Sequence, residues 1–366
     1  MIKEFTMTHA QTTQQTPAAR HWPFDLLRII ATYGVIILHT SPLPAEYHGA
    51  QSLPWCASIS LSILFRWCVP VFFMLSGALF LSSDRKFSIS KLYRKTLLRI
   101  LTCFIFWSSF YAVVHCVLLG KGKWTFLNQM LRGHYHMWYV FSILALYMLT
   151  PLIRKMTENR KLTEYFLLLG LLFTFAFPRL ISFMQILNMP HADVIDSLRS
   201  AVAQVNPLSG ASSLYYFVLG HYLHTYPPRK TLRSLLIAGG AVGYILTALL
   251  TIWHTGLIGS SSAQFYDPSS TTVLMMSVGV FLLFEYAFAS YQPGKRMQRV
   301  LLTLSECSFG VYLMHPFFIE RIEPTLPPEP VIVVLGTLAF AFCFYLLSFA
   351  VSFLLHKIPL LKRYIV

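Results

Sequence analysis

Ten predominantly apolar stretches, each long enough to cross a bilayer as a helix, alternate along the chain with short polar connections. They lie at about 24–43, 55–81, 97–119, 136–153, 162–184, 207–225, 232–255, 271–291, 300–319 and 331–355. Inside a bilayer the backbone must satisfy its own hydrogen bonds, which leaves only helices or closed barrels, and spans of about 20 residues select helices. The expected class is therefore an all-α integral membrane protein with about ten transmembrane helices. The stretch at 207–225 is the weakest, because Tyr, Ser and His dilute it. Charged residues make up 12% of the chain, about half the share usual in soluble domains.

The formal charge of +15 could suggest nucleic acid, but its distribution argues against that. The basic residues fall in short clusters between apolar runs, as cytoplasmic loops do, and no basic face with interleaved polar readout is present. With the N-terminus inside, 21 of the 29 Lys and Arg face the cytoplasm, five face the opposite side and three lie within spans. Both termini are then cytoplasmic. Residues 1–20 are Thr/Gln-rich and too poor in apolar side chains to pack, so a disordered cytoplasmic tail is expected there. No cleavable signal peptide is expected before the first span. Residues 21–366 form a single transmembrane domain on this reading. The connection at about 185–206 carries His191, Asp193, Asp196 and Arg199 and is long enough to cover a site from outside. The six cysteines show neither metal nor redox spacing, so no metal site is expected.

Within this frame the first span is unusual. Arg28 and His39 are eleven positions apart, which returns nearly to the same helical face and separates them by roughly 16 Å along the axis. A fixed cation and a titratable base would then line one wall at two depths. Either residue could instead snorkel to the interface; an arginine inside an apolar span otherwise marks a functional pathway or an internal partner. Asp25, one turn before Arg28, could be that partner.

The second span reads RWCVPVFFMLSG. Pro70 cannot donate to the carbonyl of Arg66, so a kink is expected there, and Ser76-Gly77 permits close approach of a neighbouring backbone. The run DRKFSISKLYRKTLLRI follows. It gathers Arg94, Lys95 and Arg99 on one side of a helix entering the membrane, either as an anchor for anionic lipid or as a surface for a nucleotide's phosphates. The fourth span opens with HYHMWYV, where His136 and Trp138 would lie at the outer interface. Glu285 is the most deeply placed carboxylate and needs a partner, for which Arg28 or Arg66 are natural candidates. The ninth span contains SECSFGVYLMHP, with Tyr312, and with His315 at a depth similar to His39.

Five of these features in order resemble the acyltransferase-3 membrane family: Arg-x10-His, R-x-x-V-P-x-F-F-x-x-S-G, basic residues entering the third helix, H-x-W-Y, and S-x-G-x-Y-L-x-H-P. The resemblance runs from about residue 22 to 355 and extends to the short bacterial members, which O-acetylate envelope glycans such as enterobacterial common antigen. It implies a multi-pass protein of the bacterial inner membrane that moves an acyl group, often acetyl from acetyl-CoA, onto a hydroxyl of a glycan or lipid-linked saccharide. The acyl-CoA is then a co-substrate rather than a permanently bound cofactor. Carried onto this chain, the resemblance makes Arg28 and His39 the functional pair and adds Arg66, Lys95 and Arg99, with His136, Trp138, Tyr312 and His315 as further candidates; Arg94 comes from charge clustering alone.

On that reading Arg94, Lys95 and Arg99 hold the CoA phosphates and His39 accepts the proton of the acceptor hydroxyl as it attacks the thioester. Arg28 or Arg66 holds the donor or stabilises the oxyanion, and an acyl-histidine intermediate stays open. The distance from Arg28 to His39 favours a donor-channel role for Arg28. The competing readings are a transporter or flippase of a glycan or lipid-linked intermediate, which needs no nucleotide-phosphate cluster, and a membrane sensor.

Overall fold

The computed structural model describes residues 20–42, 49–82, 87–119, 123–205, 212–322 and 326–366, all helix and connecting turns. The expected tail therefore lies outside the described residues except for Arg20. Fifteen helices are named here: α1 Trp22–Thr40, α2 Leu53–Leu64, α3 Cys68–Phe80, α4 Leu98–Leu119, α5 Lys123–Arg132, α6 Trp138–Thr157, α7 Arg160–Gly170, α8 Phe177–Ile186, α9 Ala192–Val205, α10 Ser212–Thr225, α11 Lys230–Ile258, α12 Thr271–Ala287, α13 Lys295–Ile319, α14 Pro330–Lys357 and α15 Pro359–Tyr364. Among the described residues, seven segments are both long and apolar enough to span a membrane: Trp22–Thr40, Leu53–Phe80, Ile89–Val117, Trp124–Thr157, Arg160–Ile186, Lys230–Ile258 and Pro330–Lys357. The other three expected spans fall on α10, α12 and α13. Helix α10 has 14 residues and α12 has 17, short for a crossing. Helix α13 has 25 but is diluted by Ser305, Ser308 and His315, the polar face it turns toward the interior.

Local chemistry accounts for the ends of several helices. Ser52 caps α2, its hydroxyl accepting from the Trp55 amide at 3.3 Å, with Pro54 in the first turn. Asn159 caps α7 in the same way through Leu162 at 3.2 Å. Around Pro70 the second span does not bend smoothly. It breaks into two helices at residues 65–67, where tight turns from Phe65 to Ile63 and Ser62 and from Arg66 to Ile63 replace the regular ladder. Pro70 then sits in the first turn of α3, where its missing N–H costs nothing. The expected discontinuity is present, and its consequence is to free Arg66 from a regular helical environment.

Glycines set the closest approaches. A Cβ placed on Gly77 of α3 would lie 2.6 Å from the Phe217 carbonyl carbon of α10, and one on Gly220 would meet the Met74 backbone as tightly. The close contact expected at Ser76-Gly77 is thus made with α10. Gly240 and Gly279 likewise bring α11 against α12. Helix α1 runs through the centre, packed on α3, α12, α13 and α14. Its buried Leu27, Ala31 and Val35 join one large apolar core. Helix α1 is therefore the best-supported rod in the molecule, and it carries Arg28 and His39.

Candidate active site

At one end of the bundle, a cavity of about 790 Å³ is lined by Arg94, Lys95 and Arg99 and by Phe80, Pro359, Lys362, Arg363 and Tyr364. A π-helical turn, Leu92–Leu97, leads into α4 and presents the first two cations; such turns recur at functional sites. The chain's last residues fold back onto α4: Trp107 Nε1 donates to the Ile365 carbonyl at 2.9 Å, Thr102 Oγ1 to that of Tyr364 at 3.0 Å, and Arg99 to that of Val366. This docking brings Lys362 and Arg363 beside the three expected cations. Five positive side chains around one opening form a surface for a polyanion.

Phe80, on the wall of that cavity, stacks on Tyr147 at 4.2 Å. Tyr147 belongs to the wall of a second, narrower cavity of about 180 Å³ inside the bundle, lined among others by Arg28, Thr32, Ser76, Tyr139, Ser308 and Tyr312. Arg28 is held from behind. Its Nη1 donates to Ser305 Oγ at 3.0 Å and lies 3.4 Å from Asp25 Oδ1, and Ser305 Oγ donates to the same carboxylate oxygen at 2.6 Å. Asp25, almost fully buried, also receives Arg20 through two nitrogens at 2.6 and 2.9 Å. A buried carboxylate shared by two guanidinium groups and a hydroxyl is well compensated. The pairing of Asp25 with Arg28 that the sequence suggested is present, and the shorter bonds go to Arg20.

Tyr312 links this cavity to a cluster of four histidines, because its hydroxyl donates to the His136 carbonyl. The His39 and His315 rings are 5.2 Å apart, His136 and His315 5.5 Å, and His134 and His136 5.1 Å. The hydrogen bonds assign the tautomers. His315 Nδ1 stands 2.7 Å from the Tyr312 carbonyl, which only accepts, so the proton is on Nδ1 and the lone pair of the neutral ring is on Nε2. His134 Nε2 faces Glu320 Oε1 at 3.1 Å, and its Nδ1 lies 3.0 Å from His136 Nδ1. Among the described residues the Nε2 atoms of His136 and His315 are buried without a hydrogen-bond partner. His39 is only partly buried, and among the described residues neither of its ring nitrogens forms a hydrogen bond.

Beyond the histidines the molecule opens again. Tyr135 packs on His39 at 5.3 Å and His134 stacks on Tyr111 at 4.1 Å. These tyrosines and His134 line an open cavity of about 560 Å³ with Gln129, Glu320 and Arg321. A neighbouring cavity of about 450 Å³ shares Gln129, Gly133, His134 and Tyr135 and adds Arg132 and Trp138. A basic opening, a narrow polar slot, a histidine cluster and an aromatic opening therefore follow one another through the bundle, with α1 alongside.

Not every expected residue joins this path. Arg66 is remote from the cationic opening: it lies over the Tyr266 ring at 4.1 Å and donates to Ser62 at 3.0 Å. Glu285 pairs with neither Arg28 nor Arg66; its Oε1 is 2.6 Å from His224 Nδ1. The reason is that Asp25 already satisfies Arg28, while the break before α3 turns Arg66 onto an aromatic face. His136 is 2% exposed rather than interfacial, whereas Trp138 is 46% exposed and sits at the edge of the outer cavities. The segment expected to cover the site folds as α9 along α8, with Gln185 donating to Asp196 at 2.7 Å, and lines none of these four cavities. His134, Tyr135, Tyr139, Tyr147, Lys362 and Arg363 were not singled out from the sequence. His134 stood two residues from His136, and the last two counted only toward topology.

The family model described as an acyltransferase domain matches residues 23–357. No curated protein and no solved structure matches the chain.

Proposed function

The chain belongs to the acyltransferase-3 family of membrane acyltransferases, and from that premise we propose that it is an acyl-CoA-dependent O-acyltransferase, most simply an O-acetyltransferase of an envelope glycan. Ten crossings with both termini in the cytoplasm fit the charge asymmetry and put the basic opening on the cytoplasmic side. Membership in an enzyme family favours this reading over a transporter. The observation that carries the mechanism is the order, along the bundle, of a cationic opening, a narrow slot beside Arg28 and a histidine cluster facing a second opening.

Acyl-CoA approaches the basic opening, where Arg94, Lys95, Arg99, Lys362 and Arg363 bind its phosphates. The slot lined by Arg28, Tyr139 and Tyr312 admits an extended pantetheine arm but not a nucleotide, so the thioester alone advances toward His39. The acceptor, a glycan or lipid-linked saccharide, enters from the aromatic opening, whose tyrosines and tryptophan suit sugar rings. His39 takes the proton of the acceptor hydroxyl as its oxygen attacks the thioester carbonyl carbon. The attack turns the thioester carbonyl into a tetrahedral oxyanion. The C–S bond then breaks, and the imidazolium returns its proton to the departing CoA thiolate. His315 keeps a second basic nitrogen beside His39.

The test is release of free CoA from acetyl-CoA by purified protein in detergent. The wild type should show slow turnover, and His39→Ala should lower it by at least about 100-fold, the usual scale for losing a general base, while inserting and purifying normally. Turnover preserved in His39→Ala would remove His39 from this role.

A further inference from the structure

One cluster of ligating side chains lies away from this path. His21 precedes α1, His224 is in the last turn of α10 and Glu285 is in the last turn of α12. Each offers one ligand atom, and the three atoms lie within 4.8 Å of one another. Two of the groups are conspicuously unsatisfied: Glu285 Oε2 and His21 Nδ1 are buried and have no hydrogen-bond partner among the described residues. The Glu285 side chain is 9% exposed. The His21 and His224 rings meet edge to face at 5.5 Å, and Phe24 packs on both, at 4.2 and 5.1 Å, closing the apolar side of the cluster.

A buried carboxylate with one free oxygen needs a compensating charge. Its imidazole neighbour at 2.6 Å satisfies only the other oxygen. Two imidazoles and one carboxylate, from the ends of three separate helices, make a mixed nitrogen and oxygen set suited to zinc-class divalent ions; calcium and magnesium prefer a fuller oxygen shell. Metal–ligand bonds of about 2.0–2.2 Å imply ligand atoms roughly 3.3 Å apart in a tetrahedral site. The observed spread therefore needs only small side-chain movements to close. No compact metal motif marks it, since the ligands lie far apart along the chain.

We propose that His21, His224 and Glu285 form a three-residue site for a zinc-class transition metal, with its remaining position open to water. The ion would tie the start of α1 to the ends of α10 and α12. Because α1 also carries Arg28 and His39, such a tie sets the position of both relative to the rest of the bundle.

Tag-free, full-length protein in detergent, stripped with chelator and dialysed, would be titrated with Co²⁺ and followed by its visible d–d absorption. The wild type should take up one saturable equivalent with a four-coordinate spectrum that Zn²⁺ bleaches. Glu285→Gln, which keeps the side chain's shape, and His224→Ala should each weaken binding at least about tenfold. Both should also lose the rise in thermal midpoint that Zn²⁺ gives the wild type. Thirteen histidines offer chances for adventitious binding, and each of these variants leaves at least twelve of them in place. Uptake that is the same in wild type and Glu285→Gln, or no saturable uptake by the wild type, overturns the proposal. Elution of each variant as a monodisperse peak shows that a loss of binding does not reflect misfolding.

Discussion

Replacing Gly77 by Ala tests the packing on which the inner cavity depends. The added Cβ would lie 2.6 Å from the Phe217 carbonyl carbon and closer to its oxygen. Non-bonded carbons rest at about 3.5–4.0 Å, so α3 and α10 must separate by roughly 1 Å along their tightest contact. The obstructing atoms are backbone and cannot rotate away. Overpacking of this kind costs about 1–3 kcal/mol, or a fall of roughly 2–12 °C in thermal midpoint on the scale of about 2–4 °C per kcal/mol for mid-sized domains. Activity should fall with it, because Ser76 and Leu75 on α3 line the slot beside Arg28. Gly239→Ala is the control. It also lies within a helix, but its Cβ would meet only the Met275 methyl at 3.9 Å. There the gain in helix propensity, up to about 1 kcal/mol, should leave stability unchanged or raised. Thermal unfolding of both variants in one detergent, with CoA release measured in parallel, makes the comparison. Equal midpoints for Gly77→Ala and Gly239→Ala would refute the reasoning.

Two further outcomes concern the path itself. Lys362→Gln with Arg363→Gln removes two exposed cations worth about 0.5–1 kcal/mol each, so KM for acyl-CoA should rise about five- to thirtyfold with kcat little changed. The wild-type KM should also rise with salt as those charges are screened, and initial-rate kinetics at two ionic strengths would check both. Tyr312→Phe deprives the His136 carbonyl of its donor, at a cost of about 1–3 kcal/mol for an unsatisfied buried acceptor. Thermal midpoint and kcat should both drop, and an unaltered kcat would separate Tyr312 from the histidine cluster.

The parts of this molecule that were legible in the sequence are those governed by short-range periodicity. Arg28 and His39 share a helical face because eleven positions return to it, and Pro70 breaks the second span because it lacks an N–H. The placing of His315 beside His39 followed from counting depth along two spans. Partner choice was not legible. Glu285 could be matched to an arginine only on grounds of depth, but Asp25 and Ser305 already occupy Arg28, and His224, a residue with no motif around it, reaches the carboxylate. The basic opening was half legible for a similar reason. Arg94, Lys95 and Arg99 cluster in sequence, whereas Lys362 and Arg363 reach them only because Thr102, Cys103 and Trp107 bond the backbone carbonyls of the last residues. Polarity also misleads at α13, where the serines and histidine that build the site lower the hydropathy by which a span is recognised.

The same polarity explains how one helix pair can serve both ends of the proposed reaction. Helices α1 and α13 meet at Asp25 and Ser305 near one end and at His39 and His315 near the other. The first contact fixes Arg28 by a shared carboxylate, an arrangement that is rigid because every charged group in it is compensated. The second leaves imidazole nitrogens uncompensated, which is costly for stability but necessary for groups that must gain and lose protons. A fixed cation where a donor is to be held and free bases where a proton is to be moved is the division of labour that the proposed acyl transfer uses.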